Sequence, residues 1–172
     1  MTRPFQTPLV IYGRSANIPA GEDLYVRFLG AWDFEWMEGG IASDEGRVKG
    51  EWLFSRVLDN GEMHDIFICP SREERLARPY PEAEYCTAIR TYVREKRCME
   101  AVYLRRGLPI NFETRLDAKG DISLIMTNVR NYAMVWKFAD ITENSFHWIN
   151  EKSWDGGRTW VVQGELFAVR RK

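Results

Sequence analysis

The segments RFLGAWDFEWMEGG (residues 27–40) and GRVKGEWLFSRVLDNGEMHDIFICP (residues 46–70) decide the fold. They contain three runs with a two-residue period, in which one face carries Trp32, Phe34 and Trp36 in the first run, Trp52 and Phe54 in the second, and Asp65 and Phe67 in the third. Successive residues of a β-strand point to opposite faces, so each run places its rings on one face of a sheet. Glycine, Asp and Asn between the runs permit tight turns. The two segments therefore predict an antiparallel meander with an aromatic inner face.

The rest of the chain repeats this pattern at intervals of roughly ten residues, which is typical of an all-β barrel or sandwich. Each predicted strand follows the previous one through a turn, and closure removes exposed edges, so we expect an antiparallel up-and-down barrel of about 8–10 strands. A barrel of that size has room for one small ligand. Beyond residue 70 the predicted strands are 85–94, 98–105, 110–116, 121–128, 132–139, 146–154 and 160–170. A short helical turn is expected at 72–77, over a barrel mouth.

Composition limits the classes of protein that the chain can represent. Its 172 residues, 45% of them hydrophobic, predict one domain over residues 1–172. A net charge of −1 does not favour nucleic acid, and no apolar run is long enough to span a membrane as a helix. The N-terminus lacks the pattern of a signal peptide, and three irregularly spaced cysteines indicate reduced thiols. We therefore expect a cytoplasmic protein with no nucleic-acid or membrane partner, and a homodimer is left open.

Residues 1–25 are predicted to form an extended N-terminal arm, because prolines recur there and apolar positions follow no period. Two roles are open for this arm. It closes one end of the barrel, or it packs on the outside or on a partner subunit. The apolar residues that would do either are Phe5, Leu9, Ile11 and Tyr12.

The sequence Leu29-Gly30-Ala31-Trp32 resembles the G-x-W signature of lipocalin-like proteins, the calycin group. In that group the Trp plugs one end of the barrel, and a basic residue near the last strand packs across it. Arg170 and Arg171 are the candidates here. The order of FLGAWDFEW, GEWLFSRVLDN, HDIFICPS, SWDGGRTW and a terminal Arg is similar to small bacterial lipocalin-like domains of unassigned function. The resemblance implies a cup with an apolar interior and ligand entry at one end.

Asp65 is the most informative charged residue, because it shares a strand face with Phe67 and is therefore predicted to point inward. A buried carboxylate needs a cation or hydrogen bonds, and Arg56 and Arg90 are the candidate partners. Such a pair either binds a polar group of a ligand or transfers a proton, or it is a structural ion pair that sets barrel register. By the same alternation His64 is expected to face outward.

The number of aromatic rings exceeds what a plain barrel core needs, and it favours a flat, largely apolar ligand. Our leading hypothesis is a barrel that binds a small hydrophobic molecule, aromatic or isoprenoid, with no cofactor. The residues expected to bind it are Trp36, Trp52, Phe54, Arg56, Phe67, Arg90, Trp136 and Trp148.

Two other classes of function are carried as alternatives. A cofactor-independent isomerase, cyclase, hydratase or decarboxylase needs only a shaped cavity and one acid or base. Its catalytic residue would be Asp65, assisted by His64 or Tyr92. A structural or interaction module would instead show a filled core and a large apolar surface patch. A fully paired Asp65 favours binding, whereas an unpaired one favours catalysis.

No His or Cys pair has the spacing of metal ligands, so no metal site is predicted. Glu35 and Glu51 alternate with tryptophans and are expected to face solvent.

Overall fold

The computed structural model describes residues 14–41, 46–58, 61–77, 84–105 and 107–172. Within these ranges ten strands close into one antiparallel barrel, in which each strand pairs with its sequence neighbours and the first pairs with the last. The prediction of an all-β up-and-down barrel is therefore confirmed. The apolar residues of the predicted arm, Phe5, Leu9, Ile11 and Tyr12, lie outside the described residues.

The strands are β1 (Gly30–Glu38), β2 (Val48–Val57), β3 (Glu62–Cys69), β4 (Glu84–Val93), β5 (Cys98–Arg105), β6 (Leu108–Leu116), β7 (Ile122–Met126), β8 (Ala133–Ala139), β9 (Ser145–Ser153) and β10 (Val161–Arg170). A 3-10 turn (Val26–Phe28) precedes β1, and the short helix α1 (Arg72–Ala77) lies where the sequence predicts a helical turn. No helix in the described part of the chain is long and apolar enough to cross a membrane.

The alternation of inward and outward residues also holds on β4 and shows which of its faces points into the barrel. Cys86, Ala88 and Arg90 are buried, whereas Tyr85 and Ile89 are exposed. The pairing of β3 with β4 places Asp65 beside Ala88 and Met63 beside Arg90. Arg90 is therefore an interior residue, one strand away from Asp65.

The segment before β1 closes one end of the barrel, which we call the plugged end. Tyr25 and Phe28 are fully buried there, and the Tyr25 hydroxyl is hydrogen-bonded to Thr114 Oγ1 at 3.0 Å. Asp23 forms a fully buried ion pair with Arg56 of β2. The described part of the predicted arm therefore fills the barrel end.

Trp32 and Arg170 complete the plugged end. The indole Nε1 of Trp32 donates to Phe28 O at 2.7 Å, and the Arg170 guanidinium lies 4.2 Å from the Trp32 ring centroid. The same guanidinium donates to three backbone carbonyls, among them Leu29 O at 2.6 Å. Of the two candidates for the basic partner of Trp32, Arg170 therefore makes the contact.

The prediction that Glu51 faces solvent is wrong. Glu51 lies on the outer face of β2 but is only 5% exposed. Arg72 of α1 and Arg171 both donate to its carboxylate, at 2.6 and 3.1 Å from Oε2. The Arg72 hydrogen bonds lower the pKa of Glu51 to about 2. Alternation alone gave the correct face for Glu51 but could not reveal that two arginines cover it.

Candidate functional site

The half of the barrel away from the plug contains a cavity of about 290 Å³. It lies where the ends of β1, β3, β5 and β9 meet the starts of β4, β6, β8 and β10. Six of the eight residues predicted to bind a ligand line it: Trp36, Trp52, Phe67, Arg90, Trp136 and Trp148.

Aromatic rings in contact with one another form the cavity wall. The Trp148 ring centroid lies 5.4 Å from that of Trp136, 5.8 Å from Trp36 and 6.0 Å from Trp52. These spacings are in the range where tilted and edge-to-face rings attract one another. The wall is therefore a connected apolar surface with the four indoles at different angles.

Gly164 of β10 allows the Trp36 ring to occupy its position. A Cβ atom built at Gly164 would overlap the Trp36 ring, so no other residue fits there unless the ring moves. The register of β9 and β10 is also irregular between Val162 and Gly164. This bulge brings Gln163 into the cavity lining.

The buried pair of Asp65 and Arg90 forms the floor of the cavity. Asp65 is 2% exposed and Arg90 1% exposed. Arg90 Nη1 donates to Asp65 Oδ2, and Trp52 Nε1 donates to Oδ1 at 2.9 Å. The Arg90 guanidinium also lies 4.6 Å from the Tyr25 ring centroid, so the pair connects the cavity with the plugged end. Both carboxylate oxygens are engaged, as expected either of a pair that orients a ligand or of a structural ion pair.

Two of the predicted ligand-binding residues lie elsewhere. Arg56 pairs with Asp23 at the plugged end, so Arg90 is the cation that partners Asp65. The Phe54 ring packs 5.6 Å from Phe28, beneath the cavity floor, and does not line the cavity.

The two residues predicted to assist Asp65 in catalysis also lie away from the cavity. His64 is on the outer face, where its Nε2 is 2.6 Å from Thr87 Oγ1. The Tyr92 hydroxyl donates to Glu22 at the plugged end. Of the three residues named as catalytic candidates, Asp65 is the one that lines the cavity.

Charged groups surround the open end of the cavity. The Tyr103 hydroxyl donates to Glu84 Oε1 at 2.6 Å, and Arg105 Nε lies 3.2 Å from the same oxygen. Burial raises the pKa of the Tyr103 hydroxyl, so this group stays protonated and acts as a donor. The Lys152 ammonium lies 4.8 Å from the Tyr132 ring centroid. The open end is therefore polar while the wall below it is aromatic.

Sequence reasoning missed several lining residues, although a signal for some of them was present. Met134 shares a strand face with Trp136, and Asn150 shares one with Trp148, so alternation would have found both. Gln163 had no such signal, because the bulge that turns it inward interrupts the period.

The thiols and the outer carboxylates add no reactive group to the cavity lining. Burial raises the pKa of Cys69 to about 12, so its thiol is not a nucleophile at neutral pH.

Cys98, Glu100 and Glu113 lie together on β5 and β6, although no metal site was predicted. Lys96 pairs with Glu100, and Arg115 pairs with Glu113. These cations neutralise the cluster, which lies apart from the cavity.

No family model and no curated protein matches the chain. Among solved structures, the chain is similar to the S-type phycobiliprotein lyase CPES from Guillardia theta, with a TM-score of 0.58 and 14% sequence identity. The match covers 86% of this chain and 90% of that chain. At this identity the likeness extends to the fold. The chain therefore folds as a closed, ten-stranded, lipocalin-like barrel over its described residues.

Proposed function

We propose that the protein binds a small, flat, largely apolar molecule inside its barrel. The observation that carries this proposal is the aromatic cavity above the paired Asp65 and Arg90. An apolar pocket with a few convergent polar groups is the usual form of a small-molecule site. In this account Trp36, Trp136 and Trp148 supply contact surface, and the buried pair orients the ligand.

The volume of the cavity and the charges of its lining limit the kinds of ligand that fit. Pockets for drug-sized ligands have volumes of roughly 300–1,000 Å³, so a cavity of about 290 Å³ suits a compact molecule of about two or three rings. The charged lining groups balance, with three acidic and three basic side chains: Glu38, Asp65, Glu84, Arg90, Arg105 and Lys152. An uncharged ligand body fits such a lining best. Of the two ligand classes named from the sequence, the ring-lined wall favours an aromatic over an isoprenoid compound.

A cofactor-independent lyase or isomerase acting on the bound molecule is the second candidate. It is favoured by one observation, that a protein named a phycobiliprotein lyase has a similar barrel. Asp65 would be the proton carrier. Because both of its oxygens already accept hydrogen bonds, proton transfer would first require one of them to be released. We therefore rank binding above catalysis.

An interaction module accounts for less of the structure, since its filled core is at odds with the cavity. The apolar surface patch expected of such a module is present in part. Ile89 and Val102 are exposed and lie opposite each other on β4 and β5. A homodimer, a cytoplasmic location and membership of the small bacterial lipocalin-like family remain predictions.

The experiment that tests the proposal compares ligand uptake by wild type with uptake by a variant whose cavity is filled by a larger side chain. Native mass spectrometry of the purified protein detects a co-purifying compound, and equilibrium dialysis measures uptake of fluorene, naphthalene, geraniol and farnesol. Met134→Trp places bulk at the buried cavity wall, whereas Val102→Trp places it on the exposed outer face of β5.

We expect wild type and Val102→Trp to take up the aromatic compounds and Met134→Trp to lose at least tenfold in affinity. Uptake that is equal in all three proteins would contradict the proposed cavity. So would a wild type that carries no compound and takes up none from the panel.

A further inference from the structure

Unpartnered buried polar atoms are concentrated at the cavity. Among the described residues, seven buried side-chain nitrogen or oxygen atoms make no hydrogen bond, and four of them belong to side chains that line the cavity. These four atoms are Trp136 Nε1, Trp148 Nε1, Arg90 Nε and Asn150 Oδ1. Buried polar groups are nearly always hydrogen-bonded, so such a concentration requires an explanation.

Other indoles of this barrel have partners. Nε1 of Trp32 donates to Phe28 O at 2.7 Å, Nε1 of Trp36 to Glu38 at 2.8 Å, and Nε1 of Trp52 to Asp65 at 2.9 Å. Trp136 and Trp148 are also buried, at 8% and 5% exposure, yet their N–H groups have no partner among the described residues. Burial without a partner is costly, and a ligand oxygen would remove that cost.

Two carboxylates of the cavity lining already accept hydrogen bonds, and Asn150 Oδ1 is the lining acceptor that has no partner among the described residues. Asp65 accepts from Arg90 and Trp52, and Glu84 accepts from Tyr103 at 2.6 Å. The unpartnered set holds three donors and one acceptor, so its complement is a molecule richer in acceptors than in donors. A charged ligand would lack a free counter-ion at this depth, because Asp65 and Arg90 neutralise each other.

We infer, resting on the proposed function, that the ligand is an uncharged conjugated ring compound with a carbonyl oxygen. Its rings pack against the aromatic wall, and its carbonyl accepts a hydrogen bond from Trp136 or Trp148. A donor on the ligand, where it has one, is matched by Asn150 Oδ1. This assigns the two indole N–H groups as specificity determinants that separate aromatic ketones from the corresponding hydrocarbons.

The test compares 9-fluorenone with fluorene, which share a three-ring frame and differ by the carbonyl oxygen. Equilibrium dialysis measures both dissociation constants without relying on tryptophan signals. We expect fluorenone to bind wild type about tenfold more tightly than fluorene, although the ketone is the less hydrophobic compound. Trp136→Phe and Trp148→Phe keep a ring but remove the N–H, so at least one of them should lose about five- to tenfold in fluorenone affinity. Fluorene affinity should change less than about twofold.

Trp154→Phe is the matched control, since Trp154 is 59% exposed and lies outside the cavity lining. It should leave both affinities unchanged. If a variant folds poorly, infrared spectroscopy of wild type with bound fluorenone tests the same hydrogen bond. The carbonyl stretching frequency of the bound ketone should lie below its value in hexane.

The outcomes separate this inference from the proposed function. Equal binding of fluorene and fluorenone would overturn the inference and leave the apolar cavity standing. A fluorenone preference that survives both cavity variants would overturn the assignment to the indole N–H groups. Binding of neither compound, nor of the wider panel, would overturn the proposed function and this inference together.

Discussion

The plugged end and the cavity end of the barrel are built from the same kinds of side chain and differ in how their indole N–H groups are paired. At the plugged end the indole of Trp32, the hydroxyl of Tyr25 and the guanidinium of Arg170 all have partners within the protein. At the cavity end the indoles of Trp136 and Trp148 have none among the described residues. Aromatic content alone therefore does not distinguish the two ends, whereas the pairing of the indole N–H groups of Trp32, Trp136 and Trp148 does.

The pair of Asp65 and Arg90 connects the two ends, and breaking it should have the largest effect on stability. Arg90→Met leaves the Asp65 carboxylate buried with Trp52 as its remaining donor. We expect the free energy of unfolding to fall by about 3–5 kcal/mol, measured by chemical denaturation. The control is Lys137→Met, which removes the partially exposed pair with Glu151 and should cost less than about 1 kcal/mol. Equal losses in the two variants would contradict the role given to the buried pair.

Parallel Trp→Phe substitutions should separate the two ends. Trp32→Phe removes a hydrogen bond and ring area in the plug, so we expect it to cost about 2–3 kcal/mol while ligand affinity stays unchanged. Trp148→Phe removes an N–H that has no partner among the described residues, so it should cost about 1 kcal/mol or less, and affinity should fall in this variant or in Trp136→Phe. Denaturation and equilibrium dialysis on both variants measure these effects. The reverse pattern would show that the ends have been assigned the wrong way round.

Gly164→Ala tests the close approach of Trp36 to β10. The new methyl group would overlap the ring, so the ring must move, at an expected cost of about 1–3 kcal/mol and with weaker ligand binding. Gly46→Ala is the control, because nothing lies within 4 Å of a Cβ at that position. It should change stability by less than about 0.5 kcal/mol. A neutral Gly164→Ala would mean that Trp36 is not held in the cavity wall.

The smallest expected effect is electrostatic and lies outside both ends. Arg72 lowers the pKa of Glu51 from 4.5 to about 2, so the ionised form stabilises the folded state above pH 4.5. That contribution should be lost as pH falls from about 4.5 to about 2, and we expect about 1 kcal/mol because Arg72 is largely exposed. Thermal unfolding across this range should show a weaker pH dependence in Glu51→Gln than in wild type. Identical pH profiles would contradict the assignment.

Local periodicity predicts much of this molecule. Two-residue alternation was sufficient to turn Trp36, Trp136 and Trp148 inward and to place Asp65 among them, because a strand face depends on the residues of that strand. Two candidate partners of Asp65 remained, Arg56 and Arg90, because alternation did not decide which face of β4 points inward. The choice between them depended on Asp23, which lies in a segment without period and captures Arg56.

What the sequence could not show depends on contacts between distant segments. Tyr92, near the end of β4, donates a hydrogen bond to Glu22, 70 positions away in the chain. The bulge in β10 places Gln163 in the cavity lining, and the sequence pattern does not predict this bulge. The unpartnered state of the Trp136 indole follows from the surrounding barrel as a whole, so it became visible only in three dimensions.

The most direct test of the central claim follows the indole N–H resonances of the protein in a ¹H–¹⁵N spectrum during titration with fluorenone, with peaks assigned through Trp→Phe variants. We expect the resonances of Trp136 and Trp148 to shift progressively while that of Trp32 stays in place. A shift of the Trp32 resonance without shifts at Trp136 and Trp148, or no shift at any indole at saturating ligand, would contradict it.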